Sequence, residues 1–201
     1  RQKAIKFPSE SSEDFMWLAG LLLGDGHIRV RVRTKSRSKG IRTHRGPLNS
    51  ERGNVVLHLP DGDQSREEAQ KVFEKLFEVK VAVRSKVLSA SSVTLAKALL
   101  NLGLGDYASC ERIPKWCYSL PRSQILALLG GLVDSDGHTK GSSCYITSGN
   151  RKLMEDVQDL CIQVGIPHSN IHQRDPSGFG KSPTYRISIY SSEVKTRGKK
   201  I

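Results

Sequence analysis

The chain has 201 residues, 37% of them hydrophobic, and its 32 Lys and Arg outweigh 20 Asp and Glu to leave a net charge of +12. That length supports one good core, or two small halves fused around a shared one. A basic excess this large calls for an anionic partner, nucleic acid foremost, and a membrane-spanning protein is disfavoured because no apolar run approaches the ~18 residues of a span. No secretory signal opens the sequence, and Cys110, Cys117, Cys144 and Cys161 show neither CxxC spacing nor a Cys/His cluster. They read as reduced packing thiols of an intracellular protein. The start at Arg1, without Met, reads as a domain excised from something longer.

In chain order, residues 1–8 form a basic lead-in. Ser11, Ser12, Glu13 and Asp14 suit a helix N-terminus. The helix runs through Phe15, Trp17, Leu18, Leu21 and Leu22 to about Leu23, apolar on nearly every side and therefore buried all round. After Gly26 the period changes. From His27 to Lys35, Ile28, Val30, Val32 and Thr34 alternate with Arg29, Arg31, Arg33 and Lys35, a strand with one apolar and one cationic face. Like charges on one strand face repel, so a bound anion explains them better than a solvated edge does. Residues 36–53 form a long loop carrying Arg37, Lys39, Arg42, His44, Arg45 and Arg52, of a length that points to function or disorder.

A strand at 54–59 follows, then a cap at 61–65 and a helix to Phe77 with Ala69, Val72, Phe73, Leu76 and Phe77 on its inner stripe. Short strands at 79–84 and 87–90 lead to a helix over 93–102 that stops at Gly103. A connection, 105–121, carries Pro114 and Pro121. Ser123 opens the next helix, and a turn at Lys140-Gly141 leads to a strand at 143–147. A helix over 150–164 and strands at 171–174 and 184–190 complete the order, with a Gly/Pro loop, 175–183, between the strands. Each half reads αββαββ plus a partial last helix, an α+β arrangement with antiparallel sheets.

The halves share a nonapeptide: LAGLLLGDG at 18–26 and LGGLVDSDG at 129–137. Helices approach closely only where side chains are small, and Ala19 and Gly20 against Gly130 and Gly131 supply such a contact. Glycine inside a helix costs about 1 kcal/mol relative to alanine, so these positions need a packing reason. Both helices end in an aspartate, Asp25 and Asp136, where the helix dipole disfavours negative charge. Two carboxylates brought side by side favour an oxygen-loving divalent cation such as Mg²⁺. A histidine follows each motif, His27 and His138.

The paired nonapeptides resemble the signature of the LAGLIDADG homing endonucleases in their double-motif, single-chain form. The second copy is close, and the first departs at Leu23 and Gly24. The alternating basic strand and the Arg112-Ile113-Pro114-Lys115-Trp116 segment add to the likeness, and residues 112–137 resemble endonuclease domains carried by inteins. The resemblance implies two pseudo-symmetric halves, 1–110 and 123–201, joined by 111–122, with the motif helices at their interface and the sheets forming a saddle over double-stranded DNA. It implies a monomeric, metal-dependent endonuclease that breaks both strands of a long, imperfectly palindromic target. Asp25 and Asp136 would hold Mg²⁺ ions with the carbonyls of Gly24 and Ser135, giving one active site per DNA strand, Mn²⁺ or Ca²⁺ occupying the same sites. Asp134 is not expected among the ligands. Intein-borne members end each half in a basic residue, often Lys-x-Ile-Pro; Lys199 fits as a catalytic residue. Glu111 stands where the first such lysine is expected, and Arg112 or Lys86 could substitute. No splicing residues are visible: there is no opening Cys or Ser and no terminal His-Asn.

On this reading the DNA-binding residues of the first half are Arg29, Arg31, Arg33, Lys35, Arg42, Arg45, His58, Arg84 and Lys86, and those of the second half are Lys140, His172, Arg174, Lys181 and Arg186. Aromatic residues are too scattered to stack single-stranded bases. The alternative is the same fold as a DNA-binding regulator or RNA maturase with cleavage weakened or lost, which Glu111 favours and the two aspartates disfavour.

Overall fold

Ser12 opens the first helix as expected: its side chain accepts the Phe15 N–H, and Glu13 and Asp14 fill the first turn. A computed structural model describes residues 5–32, 51–105, 112–176 and 182–199. Helix α1 spans Glu13–Asp25, and every residue from Phe15 to Leu23 is buried. Its counterpart, α4, spans Arg122–Asp136 and is buried from Ile125 to Asp134. Both are apolar all round because they lie in the middle of the molecule, packed on each other more extensively than any other pair of elements.

The rest of the chain flanks this pair twice in the same order. Strands β1 (Gly26–Val32), β2 (Glu51–Leu57), β3 (Ala82–Arg84) and β4 (Val87–Ala90) form an antiparallel sheet ordered β1-β2-β4-β3. Strands β5 (Gly137–Lys140), β6 (Ser143–Ser148), β7 (His172–Arg174) and β8 (Thr184–Ile189) repeat it as β5-β6-β8-β7. Helices α2 (Arg66–Phe77), α3 (Val93–Asn101) and α5 (Arg151–Gln163) complete the α+β fold. The registers correspond: His27 faces Val56 and Val56 faces Ser89, while His138 faces Tyr145 and Tyr145 faces Ser188. Along each strand the side chains alternate, so Ile28, Val55, Leu57, Cys144, Ile146, Ile187 and Ile189 enter the core. No helix among the described residues is long and apolar enough to cross a membrane.

The structure departs from the sequence reading in a few places. β2 starts at Glu51 and ends at Leu57, because Gly53, Arg52 and Glu51 pair with Val30, Arg31 and Val32. β3 begins only at Ala82, since the Val81 N–H is taken by the Glu74 carboxylate. The connection holds a 3-10 turn, Lys115–Ser119, and β5 is a strand where only a turn was read. β1 is described to Val32, so Arg33 and Lys35 lie outside the described residues, as do Arg42, Arg45, Cys110, Glu111 and Lys181. Cys117, Cys144 and Cys161 are free and buried; burial pushes each thiol up to about 12, as befits packing groups.

Two of the motif glycines are set by backbone contact between the helices. A β-carbon on Gly20 would lie 2.2 Å from the Leu128 carbonyl oxygen, and one on Gly131 would lie 2.0 Å from that of Trp17. Gly130 does not belong to this contact, contrary to the sequence reading. It turns away from α1, and a β-carbon there would lie 2.2 Å from the carbonyl oxygen of Lys195 in the C-terminal segment. Gly131→Ala should therefore destabilise the protein by at least ~2–3 kcal/mol in urea denaturation, since backbone cannot yield as a side-chain tip can. Gly149→Ala, where nothing lies within 4 Å of the added carbon, should be neutral or stabilising by under ~1 kcal/mol.

Candidate active site

Asp25 is the last residue of α1 and Asp136 the last of α4, and the close crossing of these helices brings the two carboxyls within reach of each other's charge. Gly24 shows how tight the approach is. A β-carbon there would lie 2.0 Å from the Ser135 hydroxyl oxygen and 3.3 Å from Asp136 Oδ2. The departure from the motif at Gly24 is thus a packing solution, and Leu23 beside it is buried in the core. The Asp25 carbonyl accepts the His58 N–H at 3.0 Å, which ties the end of α1 to the segment after β2.

Both carboxyls are hard to ionise. Burial raises Asp25 above the ordinary carboxylate range, with Asp63 adding to the effect and Lys199 and His58 opposing it. Burial first, and the charge of Asp25 second, push Asp136 up to about 6 against the pull of Lys199. Two such oxygens at one place suit a hard divalent cation. Among the described residues no cluster of three or more His, Cys, Asp or Glu could hold a metal. The protein thus offers two carboxylates and nearby carbonyls, a donor set that fits Mg²⁺, which keeps several waters and takes phosphate oxygens as further ligands.

Lys199 reaches this site from the C-terminal segment. Its Nζ lies 2.9 Å from the Val133 carbonyl oxygen, 2.8 Å from that of Asp134, 3.1 Å from that of Ser135 and 2.9 Å from that of Gly137. It is a cation at the negative end of the α4 dipole. The Ser135 carbonyl, expected as a metal ligand, is therefore within hydrogen-bond reach of an ammonium already. Asp134, set aside in the sequence as a ligand, is fully buried and accepts four N–H groups. Trp17 Nε1 donates to its Oδ2 at 2.8 Å, as do the backbone N–H groups of Arg197 at 2.6 Å and Gly198 at 3.2 Å, and the Lys199 N–H donates to Oδ1 at 2.8 Å. Sequence reasoning missed this role. The signal was there in an acid inside a helix otherwise too apolar to leave it unpartnered.

Arg112, a candidate stand-in for the lysine expected at position 111, is paired with an acid of α5. Its Nε and Nη2 donate to Asp156 at 2.6 and 2.5 Å, and this pairing holds the guanidinium above its ordinary range. The same Asp156 accepts the Ile113 N–H at 2.9 Å, so the arginine fastens the connection to α5. Lys86 is exposed in the turn between β3 and β4. His138, Thr139 and Lys199 line one cleft with Gly62, Asp63 and Gln64, whereas His27 has a buried Nε2 without a hydrogen-bond partner.

Flanking the site, the outward sheet faces carry most of the remaining sequence-predicted cations. Arg29, Arg31, His58, Arg84, Lys140, His172 and Arg174 are exposed, and Arg186 is half-buried with its guanidinium 3.3 Å from the centre of the Tyr145 ring. Buried Arg66 donates to the carbonyls of Leu59 and Ser85, which fixes the turn bearing Arg84 and Lys86. Among the described residues, Arg29, Arg31, Arg84, Lys86, Lys140, Arg174 and Arg186 form no ion pair. Several acids pair elsewhere, as in Lys75 with Asp14, Arg122 with Glu193 and Lys195 with Glu13.

The electrostatic load on Asp136 is measurable without metal. Its folded pKa lies above the unfolded value, so the unfolded state ionises first as pH rises, and stability falls between about pH 4 and 6. Asp136→Asn removes that loss. In chelator, urea denaturation should find the variant more stable than the native chain by about 2–3 kcal/mol at pH 8, with the gap closing near pH 4.

Comparison with known proteins agrees with this geometry. Residues 123–200 match the family model described as a LAGLIDADG-like domain. The chain is 35% identical over 200 residues to the iron-sulfur cluster assembly SufBD family protein ML0593 of Mycobacterium leprae, a match covering 95% of this chain and 21% of that protein. It is 27% identical over 178 residues to an A-type ATP synthase component from Methanopyrus kandleri, covering 87% of this chain and 15% of that one. The chain thus spans about a fifth or less of the length of these curated relatives. Among solved structures, mesophilic variants of the homing endonuclease I-DmoI superpose with a TM-score of 0.60 at 17% identity, covering 88% of both chains. I-DmoI in complex with DNA and Mn gives 0.60 at 17% identity, covering 88% of this chain and 89% of that one. Residues 123–200 therefore carry a LAGLIDADG-like domain, and the chain as a whole has the two-sheet α+β fold seen in I-DmoI.

Proposed function

We propose that the chain is a site-specific DNA endonuclease that hydrolyses both strands of a long, imperfectly palindromic duplex in the presence of Mg²⁺. The observation that carries this reading is the placement of Asp25 and Asp136 together beside two sheets on which, among the described residues, Arg29, Arg31, Arg84, Lys140, Arg174 and Arg186 form no ion pair. A DNA backbone laid across the sheets would supply the missing anions and bring phosphate to the carboxylates. Mg²⁺ or Mn²⁺, when bound there, would acidify a water and neutralise charge on the leaving oxygen. Asp25 and Asp136 would hold it, with the carbonyls of Gly24 and Ser135 as the other candidate ligands. Lys199 would place a positive charge beside the reacting phosphate. Arg29, Arg31, His58, Arg84, Lys86, Lys140, His172, Arg174 and Arg186 would bind DNA. Tyr145 on one sheet stands where Val56 stands on the other, and Arg186 where Val87 stands, so the two half-sites need not match.

The internal symmetry supports action as a monomer. The unrelated names of the relatives support an intein origin. A cluster-assembly protein and a component of an ATP synthase share no activity that would explain one common segment, whereas a portable insertion would. One observation favours the second reading, a DNA-binding protein with impaired cleavage: Arg112, the candidate stand-in for the lysine expected at position 111, is paired with Asp156.

The test begins with duplexes selected from a randomised pool by binding in chelator, then challenged with Mg²⁺. The native chain should cut a subset on both strands. Asp136→Asn should bind the same duplexes and cut them at least ~100-fold more slowly. Binding should weaken by about 10³-fold between 50 and 200 mM salt if six or more phosphates are contacted. Cleavage that survives Asp136→Asn would remove the aspartates from the chemistry, and tight binding without cleavage would favour the second reading.

A further inference from the structure

The C-terminal segment is not simply the end of the last sheet. After β8 the chain turns back across the molecule, and residues 194–199 lie against α1, α2 and α4 at once. Lys195 pairs through Nζ with Glu13 at 2.7 Å, and its carbonyl occupies the space that Gly130 leaves open. Arg197 lies 4.9 Å from the Trp17 ring centre and reaches Asp14 at 2.8 Å and Glu68 at 3.5 Å. Gly198 fits so closely that a β-carbon would lie 2.1 Å from the Ser65 hydroxyl oxygen. Three successive backbone N–H groups, those of residues 197–199, converge on the single carboxylate of Asp134, a backbone nest wrapped around an anion.

We propose that Asp134 is a positioning residue that sets where the Lys199 ammonium sits over the end of α4, and that its bond to Trp17 refers that position to the first half of the chain. The inference rests on the reading of Lys199 as the cation beside the reacting phosphate. Lys199 has a long, flexible stem, and a charge on it is useful to a reaction only where its backbone is fixed. Asp134 fixes that backbone at the residue itself, through the Lys199 N–H, and at the two residues before it. The ammonium then has three donors for four carbonyls within reach, so it is held at the helix terminus whichever three it uses. The first motif has Leu23 at the corresponding place and cannot fasten a strap in this way. The device serves one of the two sites.

Asp134→Asn is a selective probe. An amide can keep its oxygen at the Oδ2 position, where three N–H groups converge, and must then turn its NH₂ toward the Lys199 N–H. Gly198→Val is the second variant, since it displaces the same segment from Ser65 and leaves Asp134 intact. The first measurement is the acylation rate of Lys199 in metal-free, DNA-free protein, read by mass spectrometry, and both variants should raise it by roughly ten-fold. The second is strand-resolved cleavage of a selected duplex, in which both variants should slow one strand by roughly ten-fold while the other strand and the DNA affinity stay unchanged. Unaltered Lys199 reactivity would overturn the proposal, and so would equal slowing of both strands, which is what a general loss of structure produces. A native chain that binds duplex and cuts neither strand would refute the endonuclease reading instead, and the acylation rates would still decide whether Asp134 places Lys199.

Discussion

The molecule depends on backbone meeting backbone where α1 crosses α4. At Gly20 and Gly131 the helices come so near that not even a methyl group would fit. Everything at the site follows from that separation. It brings Asp25 and Asp136 into one electrostatic environment, lets Ser135 press against Gly24, and lets Trp17 of one helix donate to Asp134 of the other. A wider crossing filled with leucine and valine would be easier to pack and would leave two separate helix ends, each with a plain solvated carboxylate.

Charge is distributed with the same economy. Several acids fasten segments: Asp156 takes the connection, Asp134 the C-terminal segment, and Asp14 both Lys75 and Arg197. Among the described residues, Arg29, Arg31, Arg84, Lys140, Arg174 and Arg186 on the sheets form no such pair. Burying a charged acid among apolar residues is costly unless its acceptor sites are filled, and both buried acids that fasten segments are filled by backbone N–H groups as well as side chains. That pattern separates structural acids from the candidate metal-binding pair, whose burial is opposed mainly by a neighbouring lysine and, for Asp25, a histidine as well.

Much of this was legible in the sequence where a residue's reason is local. The duplicated nonapeptide, the change of period after Gly26, the capping Ser12 and the stop at Gly103 each carry their own physics, and the elements fell where those signals placed them. What was not legible arises between distant parts of the chain. Gly130 looked like its neighbour Gly131, and only the path of residues 194–199 shows that it accommodates a different backbone. Arg112 looked available until Asp156, far along the chain, was seen to hold it. The early start of β2 was hidden because Glu51 and Arg52 are poor strand residues, recruited by ladder bonds to Val32 and Arg31.

The bond from Trp17 to Asp134 joins residues 117 positions apart. Contacts of that separation form late in folding, because a long stretch of chain must be closed before any of them is rewarded. Without that closure each aspartate is an ordinary helix-end carboxylate, free of the burial that raises it in the folded protein. Asp136 acquires its character only where α1 closes onto α4, through burial and the charge of Asp25, so neither helix carries half of the site by itself.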